Sequence, residues 1–184
     1  MAETVASASL KDTRSALTDA AGSGLDPRRL RDAFGRFATG VAVVTTLTAE
    51  GKREGVTVNS FTSVSLDPAL ALYSLRNEAP SLPGFRTAPH FAVSVLSADQ
   101  IALSNHFARP RPDKFAGIEF EDGIGGCPLL KGALASFECA REQVVAAGDH
   151  TILIGRILRV DYTDQRPLLY VGGQYSTPVG ASFA

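Results

Sequence analysis

Hydrophobic positions along the chain fall into two kinds of pattern. Between Asp26 and Gly40 they recur with a helical period: Leu30, Ala33, Phe34, Phe37 and Ala38 stand at i, i+3, i+4, i+7 and i+8, one apolar stripe. Asp26 is suited to cap this helix, Pro27 to open it and Gly40 to stop it. From Val41 onward the pattern is that of strands. Val41–Thr46 is β-branched and apolar on both faces, and Glu50-Gly51-Lys52 reads as a hairpin turn. Val56–Val58 begins a second strand, Phe61–Leu66 continues extended, and Asp67-Pro68 separates it from a third at Ala69–Leu75. Phe91–Leu96 is a fourth. Ser97-Ala-Asp-Gln100 fits a capping box and predicts a helix to about Phe107. Residues 109–130, rich in Gly and Pro, read as loop. Ala133–Cys139 alternates as a strand with one core face, Thr151–Tyr162 is a long strand with a bulge at Gly155, and Leu168–Val171 is the last.

Six or seven antiparallel strands with few helices predict a mainly β fold, a closed barrel in preference to a sandwich with exposed edges. Residues 1–25, small and polar without a sustained period, read as a flexible arm before a single domain over residues 26–184. Alternating βαβ units are absent. Neither G-x-G-x-x-G nor a P-loop occurs.

Composition narrows the function classes. The chain has 184 residues, 45% hydrophobic and 20% charged, with a formal net charge of −1. This balance offers no electrostatic footprint for nucleic acid or an anionic membrane surface. No apolar run is long enough to span a bilayer, and residues 1–25 lack the apolar core of a secretory signal, so a cytoplasmic setting is expected. Cys127 and Cys139 have neither zinc spacing nor a disulfide framework, and no metal site is expected.

Three histidines are candidates for chemistry. His90, between Pro89 and a strand, reads as a turn or surface residue, and His106 as a cap at a helix C-terminus. His150 stands in Gly148-Asp149-His150-Thr151 at the mouth of an apolar strand, where Gly148 frees the backbone and Asp149 can orient the ring. Local context leaves a turn role and a site role equally open. The stretch from Gly55 to Pro68 places Thr57, Asn59, Ser60, Thr62, Ser63 and Ser65 among apolar strand positions. Hydroxyls there must find partners, either within the sheet or on a planar, hydrogen-bonding, phosphate-bearing ligand.

Six segments in chain order resemble the short-chain NAD(P)H:flavin reductases, the reductase components of two-component flavin-dependent monooxygenases. They are Phe37-Ala-Thr-Gly-Val-Ala-Val-Val-Thr-Thr46, Gly55-Val-Thr-Val-Asn-Ser-Phe-Thr-Ser-Val-Ser-Leu-Asp-Pro68, Phe91-Ala-Val-Ser-Val-Leu-Ser97, Phe107-Ala108, Gly148-Asp-His-Thr151 and Pro167-Leu-Leu-Tyr170. The resemblance implies a Greek-key-like split β-barrel, a homodimer, and hydride transfer from NADH to FMN or FAD. NADH is expected over NADPH, since no basic cluster for a 2′-phosphate stands out. It implies that reduced flavin passes, by diffusion, to a separate monooxygenase. Thr57, Val58, Asn59 and Ser60 would meet the flavin ring edge, and Ser65, Ser74, Leu75, Ala79, Pro80 and Ser81 the ribityl and phosphate groups. Gly148, Asp149, His150 and Tyr175 would receive the nicotinamide, with His150 as the catalytic candidate.

Two departures stand out. Ser94 occupies a position where relatives often carry Asn, and Arg76–Pro83 is proline-rich where relatives carry Ser, Thr or Lys. The flavin is therefore expected to be held mainly by backbone and hydroxyl groups, with Arg36 and Arg86 as candidate phosphate partners. The alternatives are a pyridoxamine-phosphate-oxidase-like barrel, a non-catalytic flavin- or haem-binding barrel, and a pure interaction module.

Overall fold

The structure is a computed structural model that describes residues 25–178. Helix α1 (Pro27–Phe34) opens it. Asp26 caps α1 as expected, its carboxylate accepting the Arg28 N–H at 2.9 Å. The helix is shorter than its apolar period suggests. It stops at Phe34 because the next carbonyl, of Gly35, is taken by the Gly172 N–H at 2.7 Å. The stripe is not buried: Phe34 and Phe37 are each 75% exposed. Gly40 ends no helix but lies in strand β1 (Thr39–Gly40). The expected arm lies outside the described residues except for Leu25.

Strands β2 (Ala42–Leu47) and β3 (Arg53–Val58) form the expected hairpin, with Gly51 at φ +77° in its turn. Then come β4 (Thr62–Leu66), β5 (Ala69–Arg76), helix α2 (Leu82–Thr87), β6 (His90–Val95) and helix α3 (Ile101–Ala108). Half of the capping box forms before α3. The Gln100 Oε1 accepts the Ser97 N–H at 3.1 Å, whereas the Ser97 hydroxyl turns to the Asp99 carboxylate at 2.6 Å.

The stretch read as loop contains a small hairpin, β7 (Phe120–Asp122) and β8 (Pro128–Leu130), around a 3-10 turn at Ile124–Gly126. Strands β9 (Ala135–Ala147) and β10 (His150–Tyr162) form a long hairpin whose register shifts at Ile154/Gly155, the expected bulge. A Cβ at 155 would run into the Phe91 ring, so only glycine fits. Strands β11 (Leu169–Val171) and β12 (Gln174–Ser176) close the described chain. Gly172 and Gly173, at φ +58° and +80°, make the two-residue turn that such hairpins favour.

The fold is mainly β, with few helices and antiparallel sheets. Seven strands pair in the order β3-β2-β6-β9-β10-β5-β4, a second sheet is β1-β11-β12, and a third is β7-β8. The edge strands of the large sheet, β3 and β4, are consecutive in the chain and joined by residues 59–61 alone. Seven strands laid flat would be roughly 29 Å across at about 4.8 Å per strand. The four steps from Val58 to Thr62 reach at most about 14 Å. The sheet therefore curls enough to bring the end of β3 close to the start of β4.

The core lies on both faces of this sheet. Val44, Tyr73, Phe85, Phe91, Val93 and Leu153 pack in one cluster, and Val43, Leu96, Phe107, Phe115 and Leu168 pack in a second on the opposite face of β2. Cys127 and Cys139 are free and buried, and burial pushes the Cys139 thiol up to about 12.

Candidate functional site

Strand β3 leaves the sheet after Val58, and Val58 itself faces the core at 7% exposure. The peptide groups of Asn59 and Ser60 thus fall between two strands, outside both ladders. The neighbouring hydroxyls are already engaged. Thr57 Oγ1 donates to the Ser104 carbonyl on α3 at 2.7 Å. Ser60 Oγ accepts the Ser74 N–H at 2.9 Å and lies 3.2 Å from the Ser74 carbonyl, replacing a strand partner that β4 does not supply to β5. What remains for a ligand here is a short run of peptide groups without a backbone partner among the described residues, and the exposed Asn59 side chain. Ser65 stands beyond the irregularity in β4, its hydroxyl accepting the Asp67 N–H at 3.2 Å.

Beyond Leu75 at the end of β5, Ala79, Pro80 and Ser81 line a cavity of about 570 Å³. The opposite wall is the segment from Pro110 to Ala116, with Lys52, Arg53, Glu54, Val56 and Phe120 completing it. Lys52, Arg53, Arg111 and Lys114 outnumber Glu54 and Asp113 on this lining. Lys52 pairs with Glu54 at 2.5 Å, and Arg53 lies 3.3 Å from Asp122 and over the Phe120 ring. Lys114 donates to the Gly55 and Phe107 carbonyls at 2.8 and 2.9 Å, and its burial pulls the ammonium pKa down. Arg111 has no hydrogen bond or ion pair among the described residues.

The sequence missed this convergence because Lys52–Arg53 and Arg111–Lys114 lie far apart in the chain. Arg86 is not on the cavity; it donates to Thr151 Oγ1 at 3.2 Å. Arg36 lies on the exposed turn after α1, away from the cavity lining. The donor set fits a flavin nucleotide: cations without acidic excess for phosphate, apolar side chains for a flat ring, and peptide groups outside the sheet for its polar edge.

Gly148, Asp149 and His150 form the turn between β9 and β10, and Gly148 has φ +62°. His150 Nδ1 is 2.7 Å from Asp149 Oδ1. That hydrogen bond, and then the charge of the ring, hold the Asp149 carboxyl below its usual range. Tyr175 does not join this turn. Its hydroxyl is 2.8 Å from Ser104 Oγ and 3.2 Å from Asn105 Oδ1, so it ties β12 to α3.

The other histidines depart from their sequence readings. His90 is half-buried rather than on the open surface; its Nδ1 is enclosed with no hydrogen-bond partner among the described residues, and a Cβ at Gly125 would press on its ring. His106 caps no helix end, since its Nε2 donates to the Lys114 carbonyl at 2.7 Å. Ser94, fully buried, accepts the Leu130 N–H at 3.2 Å and so has a structural task.

Residues 34–178 match the flavin reductase like domain family. The chain belongs to this family. The FMN reductase (NADH) of Agrobacterium fabrum is 47% identical over 83% of this chain and 86% of that protein. The reductase component of the flavin-dependent trigonelline monooxygenase of Acinetobacter baylyi is 46% identical over 84% of this chain. Among solved structures, the Streptomyces globisporus NADH:FAD oxidoreductase in complex with NAD and FAD fragments is 37% identical over 86% of this chain, with a TM-score of 0.80. The chain spans about half the length of two of its curated relatives, 50% of the Acinetobacter protein and 49% of one from Rhizobium meliloti. Among the described residues of this flavin reductase like chain, no helix is long and apolar enough to cross a membrane.

Proposed function

We propose that the chain is an NADH:flavin reductase that transfers a hydride to FMN or FAD and supplies the reduced flavin to a separate flavin-dependent monooxygenase. The observation that carries this reading is the run of peptide groups at Asn59–Ser60, free of both ladders, on the same curled sheet as a phosphate-compatible cavity and a Gly-Asp-His turn. Relatives named as NADH-dependent flavin reductases and as monooxygenase reductase components support it. The curl of the seven-stranded sheet supports a split β-barrel. We take residues 26–184 as one catalytic domain preceded by residues 1–25, acting in the cytoplasm.

A bound flavin supplies a two-electron acceptor at its ring. The chain's own part is to bind and orient. The Asn59 and Ser60 peptide groups would hold the ring edge. The wall formed by Ser74, Leu75 and Ala79–Ser81, with Arg111 and Lys52, would hold the ribityl phosphate. His150, kept in orientation by Asp149, would align the nicotinamide amide, and alignment is the main lever on a hydride transfer. Arg76, the register partner of His150, brings a second positive charge to the turn and helps lower the Asp149 carboxyl. A homodimer is part of this reading, supported by the exposed apolar run Leu158, Val160 and Tyr162 on β10.

The test is steady-state oxidation of NADH and NADPH with FMN, FAD and riboflavin in turn. The expected result is NADH oxidation with FMN or FAD. No oxidation with any flavin overturns the reading.

A further inference from the structure

We infer that Asn77 is the positioning residue that locks the Gly148–His150 turn to the segment Ala79–Ser81, an inference that rests on the functional reading above. The Asp149–His150 pair cannot do this alone. The Asp149 side chain is 90% exposed and, among the described residues, hydrogen-bonds to no other residue than His150.

Asn77 follows β5 directly, and Arg76 is the register partner of His150. Its backbone N–H donates to the Asp149 carbonyl at 2.9 Å. Its side-chain Nδ2 donates to the Gly148 carbonyl at 3.0 Å. Its Oδ1 accepts the Thr151 hydroxyl at 2.8 Å. These three bonds hold the residues on both sides of His150. Asparagine suits the place because one planar group offers a donor to a carbonyl and an acceptor to a hydroxyl. Aspartate would set an acceptor against the Gly148 carbonyl.

Thr151 is fully buried, and its hydroxyl also accepts from Arg86 at 3.2 Å. Arg86 sits on α2, which begins directly after Ser81. The chain from Asn77 to Arg86 therefore returns to Thr151 at both ends and encloses Ala79-Pro80-Ser81. A nicotinamide beside His150 and a phosphate on Ala79–Ser81 would share one hydrogen-bonded frame. Ala79–Ser81 also keeps its own backbone bonds, Ala79 N–H to the Arg76 carbonyl at 3.0 Å and Leu82 N–H to the Ala79 carbonyl at 2.9 Å, so loss of the Asn77 side chain displaces the turn and leaves the flavin wall in place.

The experiment compares the full chain with N77A, T151V and T151S. Amide hydrogen exchange at residues 148–151 is measured without flavin or nucleotide, and KM for NADH, kcat and flavin affinity are measured separately. We expect N77A and T151V to exchange about tenfold faster at the turn and to raise KM for NADH about fivefold, with flavin affinity in N77A changed less than about twofold. T151S, which keeps the hydroxyl, should restore both. Unchanged exchange in N77A overturns the inference, as does T151S behaving like T151V. If N77A does not fold, the T151V and T151S pair decides by the same criteria. If the unsubstituted chain oxidises no NADH, the functional reading falls, and exchange still judges the frame.

Discussion

The hydroxyl of Tyr175 lies 2.8 Å from that of Ser104, a residue wholly buried on α3. The same hydroxyl donates to Asn105, and the Tyr175 ring stands edge-on to Tyr170 with centroids 5.6 Å apart. Y175F keeps the ring and removes the bonds. It should lower stability by about 1–2 kcal/mol, read as a lower denaturant midpoint, with KM for NADH unchanged. A raised KM at unchanged stability would return Tyr175 to the nicotinamide site.

His150 has the opposite signature. H150A should slow flavin reduction by NADH in stopped flow by about tenfold or more, with flavin affinity and thermal midpoint near those of the parent chain. Reduction at an unchanged rate and unchanged NADH affinity removes His150 from the mechanism.

Arg111 lines the cavity without a hydrogen-bond or ion-pair partner among the described residues, so its charge is available to a phosphate. R111Q should weaken binding of FMN and FAD about tenfold and leave riboflavin untouched, as measured by fluorescence titration at two salt concentrations. Equal weakening of riboflavin would place Arg111 elsewhere in the site.

The two thiols give a pH prediction. Burial raises the Cys139 thiol from 9.0 to about 12, and Cys127 is raised for the same reason. A raised folded-state pKa means that the unfolded chain loses its protons first. Stability from these thiols is therefore complete below about pH 9 and is lost as pH rises toward 12. Both thiols, 1% exposed, should resist a thiol reagent at pH 8 until the chain is unfolded. Rapid labelling of the native chain contradicts this burial.

The sequence was most legible where side chains repeat a simple rule. β2, β5, β6 and β10 stand out as β-branched and apolar runs, and Gly155 marked a real bulge. β7, β8 and β12 have three residues each, too few for a period to show. In α1 the period ran past the helix end because periodicity records where apolar groups fall, whereas Gly35 is held by a contact from Gly172. The Gly-Asp-His turn was legible through its glycine. Asn77 was not, since an asparagine after a strand resembles any turn residue until its three partners are placed around it. The cations of the cavity were invisible for a similar reason: net charge near zero says nothing about where the charges gather.

Ser60 and its two neighbours join the first and last strands of a seven-stranded sheet. A flat sheet of that size presents two rows of unpaired peptide groups, and each is a template for another chain. Here a three-residue link ties the end of one edge strand to the start of the other, and the Ser60 hydroxyl stands in for a missing strand partner at that link. S60A would then do more than weaken flavin binding. It would open a seam, and the first sign of its failure would be concentration-dependent aggregation, with turbidity preceding any loss of secondary structure.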